Sequence, residues 1–112
     1  SASREFLYVD DCAEAIVAAT ERYDSPEPVN IGVGQEITIR SLVELIAEVT
    51  GFEGAIEWDT TKPDGQPRRV LDTTRAAAEI GFDATTSFTE GLRSTVEWYR
   101  EHQATLDAIA PR

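Results

Sequence analysis

Three basic residues, one carboxylate, two prolines and a glycine share eight positions, Lys62-Pro63-Asp64-Gly65-Gln66-Pro67-Arg68-Arg69. Proline has no N–H to give to a ladder and glycine is conformationally loose, so the segment predicts a shaped loop rather than a helix or a central strand. Such a loop holds cations and a carboxylate at set positions. Cations grip phosphate oxygens and a carboxylate accepts hydrogen bonds from hydroxyls, so the chemistry suits a ligand that carries both. Four of the ten Lys and Arg residues (Lys62, Arg68, Arg69, Arg75) fall within fourteen positions of a chain whose net charge is −11. A solvated basic patch is the plain alternative; the Pro-Asp-Gly-x-Pro setting favours a site.

Other chemistry is missing from the sequence. Gly32-Val33-Gly34 lacks the third glycine and the helix phase of a dinucleotide-binding turn. No Tyr-x-x-x-Lys pair exists, because Tyr8, Tyr23 and Tyr99 are followed four positions on by Cys12, Glu27 and Gln103. The single histidine, His102, near the end of an exposed helix, reads as a favourable helix C-terminal charge rather than a metal ligand. Cys12 lies between a helix start, which lowers a thiol pKa, and Asp10 and Asp11, which oppose that; it reads as a small packing residue. The acid pairs Asp10/Asp11 and Glu97/Glu101 read as a cap and a solvated face. No nucleophile–base constellation emerges, so the chain is not expected to run a reaction alone.

The elements that must carry the loop alternate in type. Phe6-Leu7-Tyr8-Val9, Val29-Asn30-Ile31-Gly32 and Ala55-Ile56-Glu57-Trp58 are short apolar runs that predict strands, with Val70-Leu71 extended. Asp10 or Asp11 is placed to cap a helix whose face is Ala13, Ile16, Val17 and Thr20. Thr38 caps a second, with Ile39, Leu42, Val43, Ile46 and Val49 at helical spacing and Gly51 as its left-handed stop. Asp72 or Thr73 starts a short helix, Thr74 to Ile80, closed by Gly81. Ser87 and Glu90 form a capping box for a long helix with Phe88, Leu92, Val96 and Tyr99 on its buried stripe. Gly91 inside that helix costs about 1 kcal/mol relative to alanine, which predicts a close neighbour there. Periodicity continues weakly through Leu106 and Ile109, and 103–112 is expected to fray. Alternation of this kind predicts an α/β fold: a small sheet of three or four short strands with about four helices, one sheet face needing cover from elsewhere.

Size and composition set the outer bounds. The 112 residues fit one domain able to bury roughly 65% of its unfolded surface. The acidic balance argues against nucleic acid and anionic membrane as partners. No run of about 18 apolar residues exists, and Ser1-Ala2-Ser3-Arg4-Glu5 carries no basic-then-apolar export pattern. A single cysteine suits a reducing compartment, so the expected location is cytoplasmic.

Three stretches, in order and spacing, resemble a known family: Arg4-Glu5-Phe6-Leu7-Tyr8-Val9-Asp10-Asp11, then Val29-Asn30-Ile31-Gly32 with Thr38-Ile39-Arg40, then Trp58 through Asp72. They are similar to the C-terminal, substrate-binding part of extended short-chain dehydrogenase/reductases of the NAD-dependent epimerase/dehydratase type. The Lys-Pro-Asp-Gly stretch is narrower and looks like the GDP-L-fucose synthases, which epimerise and reduce a GDP-linked keto sugar with NADPH. The likeness spans nearly all of Arg4 to His102.

The resemblance implies that residues 1–112 are a single substrate-binding lobe, the C-terminal lobe of a Rossmann-type nucleotide-sugar enzyme. The Rossmann domain, its glycine-rich loop and its Ser/Tyr/Lys set are absent, so no cofactor is expected in this chain, although NADP serves the parent family. By position, Arg4 would contact the diphosphate of a GDP-sugar or other nucleotide sugar, and Asp64 and Arg69 would hold the nucleoside end. Each has a plainer alternative: a strand-edge charge for Arg4, an Asp-Gly turn for Asp64, an exposed charge beside a strand for Arg69. The family commonly has lysine where Arg69 stands and often histidine where Tyr8 stands. Trp58 reads as core rather than as a platform for a base. The implied partners are the missing Rossmann lobe and, through the apolar area its absence uncovers, further copies of the chain. A free-standing non-catalytic binding module and a self-associating truncated protein are the alternatives.

Overall fold

A computed structural model of the protein describes residues 2–109. Four helices dominate it: α1 (Val9–Arg22), α2 (Ile39–Thr50), α3 (Thr74–Ile80) and α4 (Phe88–Ile109). Local sequence explains most of their ends. Thr38 Oγ1 accepts from the Ser41 N–H at 3.1 Å at the start of α2, and Gly51 ends it at φ 74°. A Cβ there would be strained, so glycine suits the left-handed stop. Ser87 Oγ accepts from the Glu90 N–H at 3.2 Å at the head of α4. α4 runs to Ile109, so the stretch expected to fray is helical through that residue, and the rest of the 103–112 tail lies outside the described residues. Gly91 is buried under Tyr8, whose Cβ and Cδ1 lie 3.3 Å from where a side chain at 91 would begin. That is the close neighbour expected of a glycine inside this helix.

The N-cap of α1 differs from expectation. It is Tyr8, with no side-chain cap bond, so neither Asp10 nor Asp11 caps the helix. Asp11 is instead buried at 4% exposure. Its two oxygens accept from the N–H and Oγ1 of Thr86, both at 3.1 Å, so it ties α1 to the approach of α4.

The sheet is smaller than the sequence suggests. β1 (Ser3–Arg4) pairs antiparallel with β2 (Ile37–Thr38), with Ser3 opposite Thr38 and Arg4 opposite Ile37. On its other edge β1 takes a parallel bridge from Ser3 to Arg68. The expected strands at Phe6–Val9, Val29–Gly32 and Ala55–Trp58 form no ladder, and Val9 already belongs to α1. β-propensity only makes a run suitable for pairing; without a neighbouring edge its N–H groups have no ladder to join.

The core is correspondingly slight. Ala15 of α1 meets Ala76 and Ile80 of α3 and Phe82, with Leu7, Tyr23, Val29 and Ile31 packed around them. Small Ala15 lets α3 approach closely. The larger apolar residues of α1 are left in solvent, with Val9, Ile16 and Val17 at 68%, 59% and 56% exposure. The expected buried face of α1 is therefore its open face. The chain exposes 8486 Å², against about 6,100 Å² for a compact monomer of this mass. Only about half of the unfolded surface is buried, less than the expected roughly 65%. The radius of gyration, 17.0 Å, likewise exceeds the about 13 Å of a compact chain this long. No helix among the described residues is long and apolar enough to cross a membrane.

Candidate functional site

The proline-braced loop does meet the amino-terminal strand. The Ser3 N–H donates to the Pro67 carbonyl at 3.0 Å, and the Ser3–Arg68 bridge runs parallel. Arg4 and Arg69 are the next residues along the two bridged segments. The Arg4 guanidinium folds onto the loop, Nη1 donating to the Gln66 carbonyl at 2.8 Å and to the Ser3 carbonyl at 2.6 Å. Its other terminal nitrogen, Nη2, lies 3.9 Å from where a Cβ on Gly65 would stand. Gly65 takes φ 75°, a left-handed backbone conformation that glycine adopts without strain. Asp64, just before it, and Arg69 are both exposed.

Two carboxylates that spacing and motif do not single out frame this arrangement. Glu36, just before β2, accepts from Arg68 Nε at 2.8 Å and 2.9 Å through its two oxygens and from Ser3 Oγ at 2.6 Å. The Ser3 hydroxyl and the Arg68 guanidinium hold the Glu36 carboxyl below the usual carboxylate range. Glu5 accepts from the Val33 N–H and the Leu71 N–H, both at 3.0 Å. The stretch Arg68–Leu71 is thus fastened at one end by Glu36 and at the other by Glu5, with Arg69 between the fastenings. The sequence carries no local signal for either, since Glu36 and Arg68 lie 32 residues apart and Glu5 and Leu71 lie 66 apart.

The remaining candidates separate from this group. The Arg68 guanidinium is taken up by Glu36. Arg75 donates to the Pro28 carbonyl and pairs with Glu79 at 3.8 Å on α3, away from the loop. Trp58 is not core: it is 39% exposed and carries the Arg40 guanidinium 4.7 Å from its ring centroid. Trp98 and His102 stack along α4 with ring centroids 4.4 Å apart. Among the described residues no group of three or more His, Cys, Asp or Glu is gathered for a metal.

Comparison with known proteins gives the family. The NAD dependent epimerase/dehydratase family matches residues 1–32, the stretch that holds β1 and α1. GDP-L-fucose synthase 1 of Arabidopsis thaliana is 52% identical over 96 residues, covering 86% of this chain and 29% of that protein. The chain belongs with the NAD dependent epimerase/dehydratase family. It spans about a third of the curated relatives it matches, between 29% and 34% of the GDP-L-fucose synthases from Arabidopsis thaliana and Escherichia coli. The fold agrees with solved structures. The WbmF enzyme of Bordetella bronchiseptica, solved with NADH, superposes at a TM-score of 0.84 with 30% identity, over 96% of this chain and 32% of that one. The UDP-glucose 4-epimerase of Thermotoga maritima, solved with UDP-glucose, gives 0.82 with 31% identity, over 91% and 33%.

Proposed function

We propose that this chain is the nucleotide-sugar-binding lobe of a GDP-L-fucose-synthase-like, NADP-dependent epimerase/reductase, and that it does not catalyse a reaction alone. The observation that supports the reading is the parallel Ser3–Arg68 bridge, which joins the residue before Arg4 to the residue before Arg69. A diphosphate carries about two negative charges, which paired guanidinium groups can grip in forked geometry. A carboxylate at the turn accepts hydrogen bonds from ribose hydroxyls, as in other nucleotide sites. Only Nη1 of Arg4 donates to the Ser3 and Gln66 carbonyls, so the remaining N–H donors of the guanidinium can meet phosphate oxygens.

The reading expects no NADP cradle in this chain, although the parent family uses NADP. Gly32 is packed against Glu5 and Leu71, and the chain after Gly34 leads to β2 rather than into a helix. The reading therefore gives this chain the sugar nucleotide alone and assigns hydride transfer to a Rossmann lobe beside it. A shared site loses preorganisation when one lobe is missing, so affinity here is expected to be below that of the complete enzyme.

Calorimetric titration of the 112-residue chain with GDP and a GDP-sugar, beside Arg4→Ala and Arg69→Ala, tests the reading. Micromolar binding that either substitution abolishes supports it. No heat up to millimolar ligand overturns it. A second reading, self-association of a non-catalytic module, is favoured by the open apolar face of α1, and oligomeric state by light scattering decides it.

A further inference from the structure

We propose that Glu36 is a positioning residue for the nucleoside-diphosphate site, acting through Arg68; this rests on the reading above. The Glu36 carboxylate joins both edges of the site. It lies just before β2, accepts from Ser3 of β1, and holds Arg68 of the loop segment through both oxygens. Ser3 and Arg68 are the residues immediately before Arg4 and Arg69. Holding the first pair in register therefore fixes where the second pair starts. The Ser3–Arg68 bridge is isolated, with no regular ladder continuing beyond it, so the backbone alone holds this register weakly. The Glu36 clasp supplies what a longer parallel ladder would have supplied.

The clasp is poorly placed to serve folding instead. The Arg68 side chain is 67% exposed and that of Glu36 33%, and ion pairs this open add little to stability because water competes for both charges. Geometry is another matter. A carboxylate held by the Ser3 hydroxyl and by one Arg68 Nε–H shared between its two oxygens has little freedom, and two guanidinium groups must meet one anion at matched spacing to bind it together. Glu36 also takes the Arg68 cation out of competition, which leaves Arg69 as the arginine of this loop offered to the ligand.

The test compares wild type, Glu36→Ala, Arg68→Glu and the exchanged pair Glu36→Arg with Arg68→Glu, by GDP calorimetry and thermal unfolding. Glu36→Ala is expected to weaken GDP binding roughly tenfold while moving the midpoint by no more than about 4 °C. The exchanged pair is expected to recover most of the affinity, and Arg68→Glu alone is not. Three results overturn the inference: Glu36→Ala binding GDP as wild type does, Glu36→Ala failing to fold, and the exchanged pair binding no better than either single change. If Arg4→Ala abolishes GDP binding while Glu36→Ala leaves it intact, the positioning role falls and the binding reading stands. If wild type binds no GDP, both fall.

Discussion

Glu5 and Gly32 are matched to one another: the Glu5 carboxylate fills the space that any side chain at position 32 would need. From that place it accepts the Val33 and Leu71 N–H groups, so one carboxylate stands in for a missing ladder between two extended segments. Leu71 Cδ1, 3.1 Å from the position of an added Cβ, closes the other side. Gly32→Ala is therefore expected to destabilise the fold by about 1–3 kcal/mol, the range for overpacking a filled site. Each kcal/mol lowers the unfolding midpoint by about 4–8 °C for a domain of this size. Circular dichroism melting of Gly32→Ala, Glu5→Ala and the double variant checks it. The double variant should lose less than the sum of the singles, because Glu5→Ala removes the obstacle. Additive losses would separate the two residues.

Asp11 offers a different kind of test, because its burial serves the packing of α1 against the approach to α4. Asp11→Ala strands the Thr86 N–H and hydroxyl, each of which donates to this carboxylate at 3.1 Å. Leaving a buried donor unpaired costs about 1–3 kcal/mol. A loss in that range is expected in urea unfolding, with Asp11→Asn losing less because one amide oxygen still accepts. Glu14→Ala, one turn along on the exposed side of α1, should change little. Equal, small effects at both positions would count against the tie.

Acid stability has a sign that follows from three carboxylates. Glu36, Asp59 and Asp72 are all held below the ordinary carboxylate range, mainly by the hydroxyls of Ser3, Thr61 and Thr74 respectively. A carboxyl whose folded pKa lies below its unfolded value contributes stability that is complete above the unfolded pKa and lost as pH falls through the folded one. The unfolding midpoint should thus be level in these groups' contribution above about pH 5 and fall below about pH 4. Asp72→Asn should flatten part of that acid limb, because its Thr74 bonds no longer require deprotonation. A limb unchanged in this variant would remove Asp72 from the account.

The open face of α1 predicts behaviour in solution. Ile16 and Val17 are more than half exposed, so Ile16→Glu with Val17→Lys should leave the melting midpoint nearly unchanged, as surface changes usually do. If self-association uses this face, the same pair should shift the chain toward monomer in light scattering across a dilution series. Association that the pair leaves unaltered would assign it to another surface.

Helix boundaries, the start of α1 excepted, are legible in the sequence because their causes lie within a turn or two of chain. Thr38, Gly51, Gly81 and Ser87 each act on backbone groups a few residues away, and the loop at Asp64-Gly65 follows from local conformational preference. The binding candidates Arg4, Asp64 and Arg69 follow from residue type and family resemblance. Strands do not, because a strand exists only where a second edge meets it, and the sequence of Phe6–Val9 contains no information about which edge is available. The inward face of α1 departs from its hydrophobic pattern for the same reason. Pattern marks a face to be covered, and small Ala15 meeting Ala76 and Ile80 decides which face this chain covers itself. The roles of Asp11, Glu5 and Glu36 exist only in three dimensions. Each satisfies donors dozens of positions away, and a carboxylate's charge alone cannot tell a cap or a solvated residue from a clasp until folding brings those donors within reach.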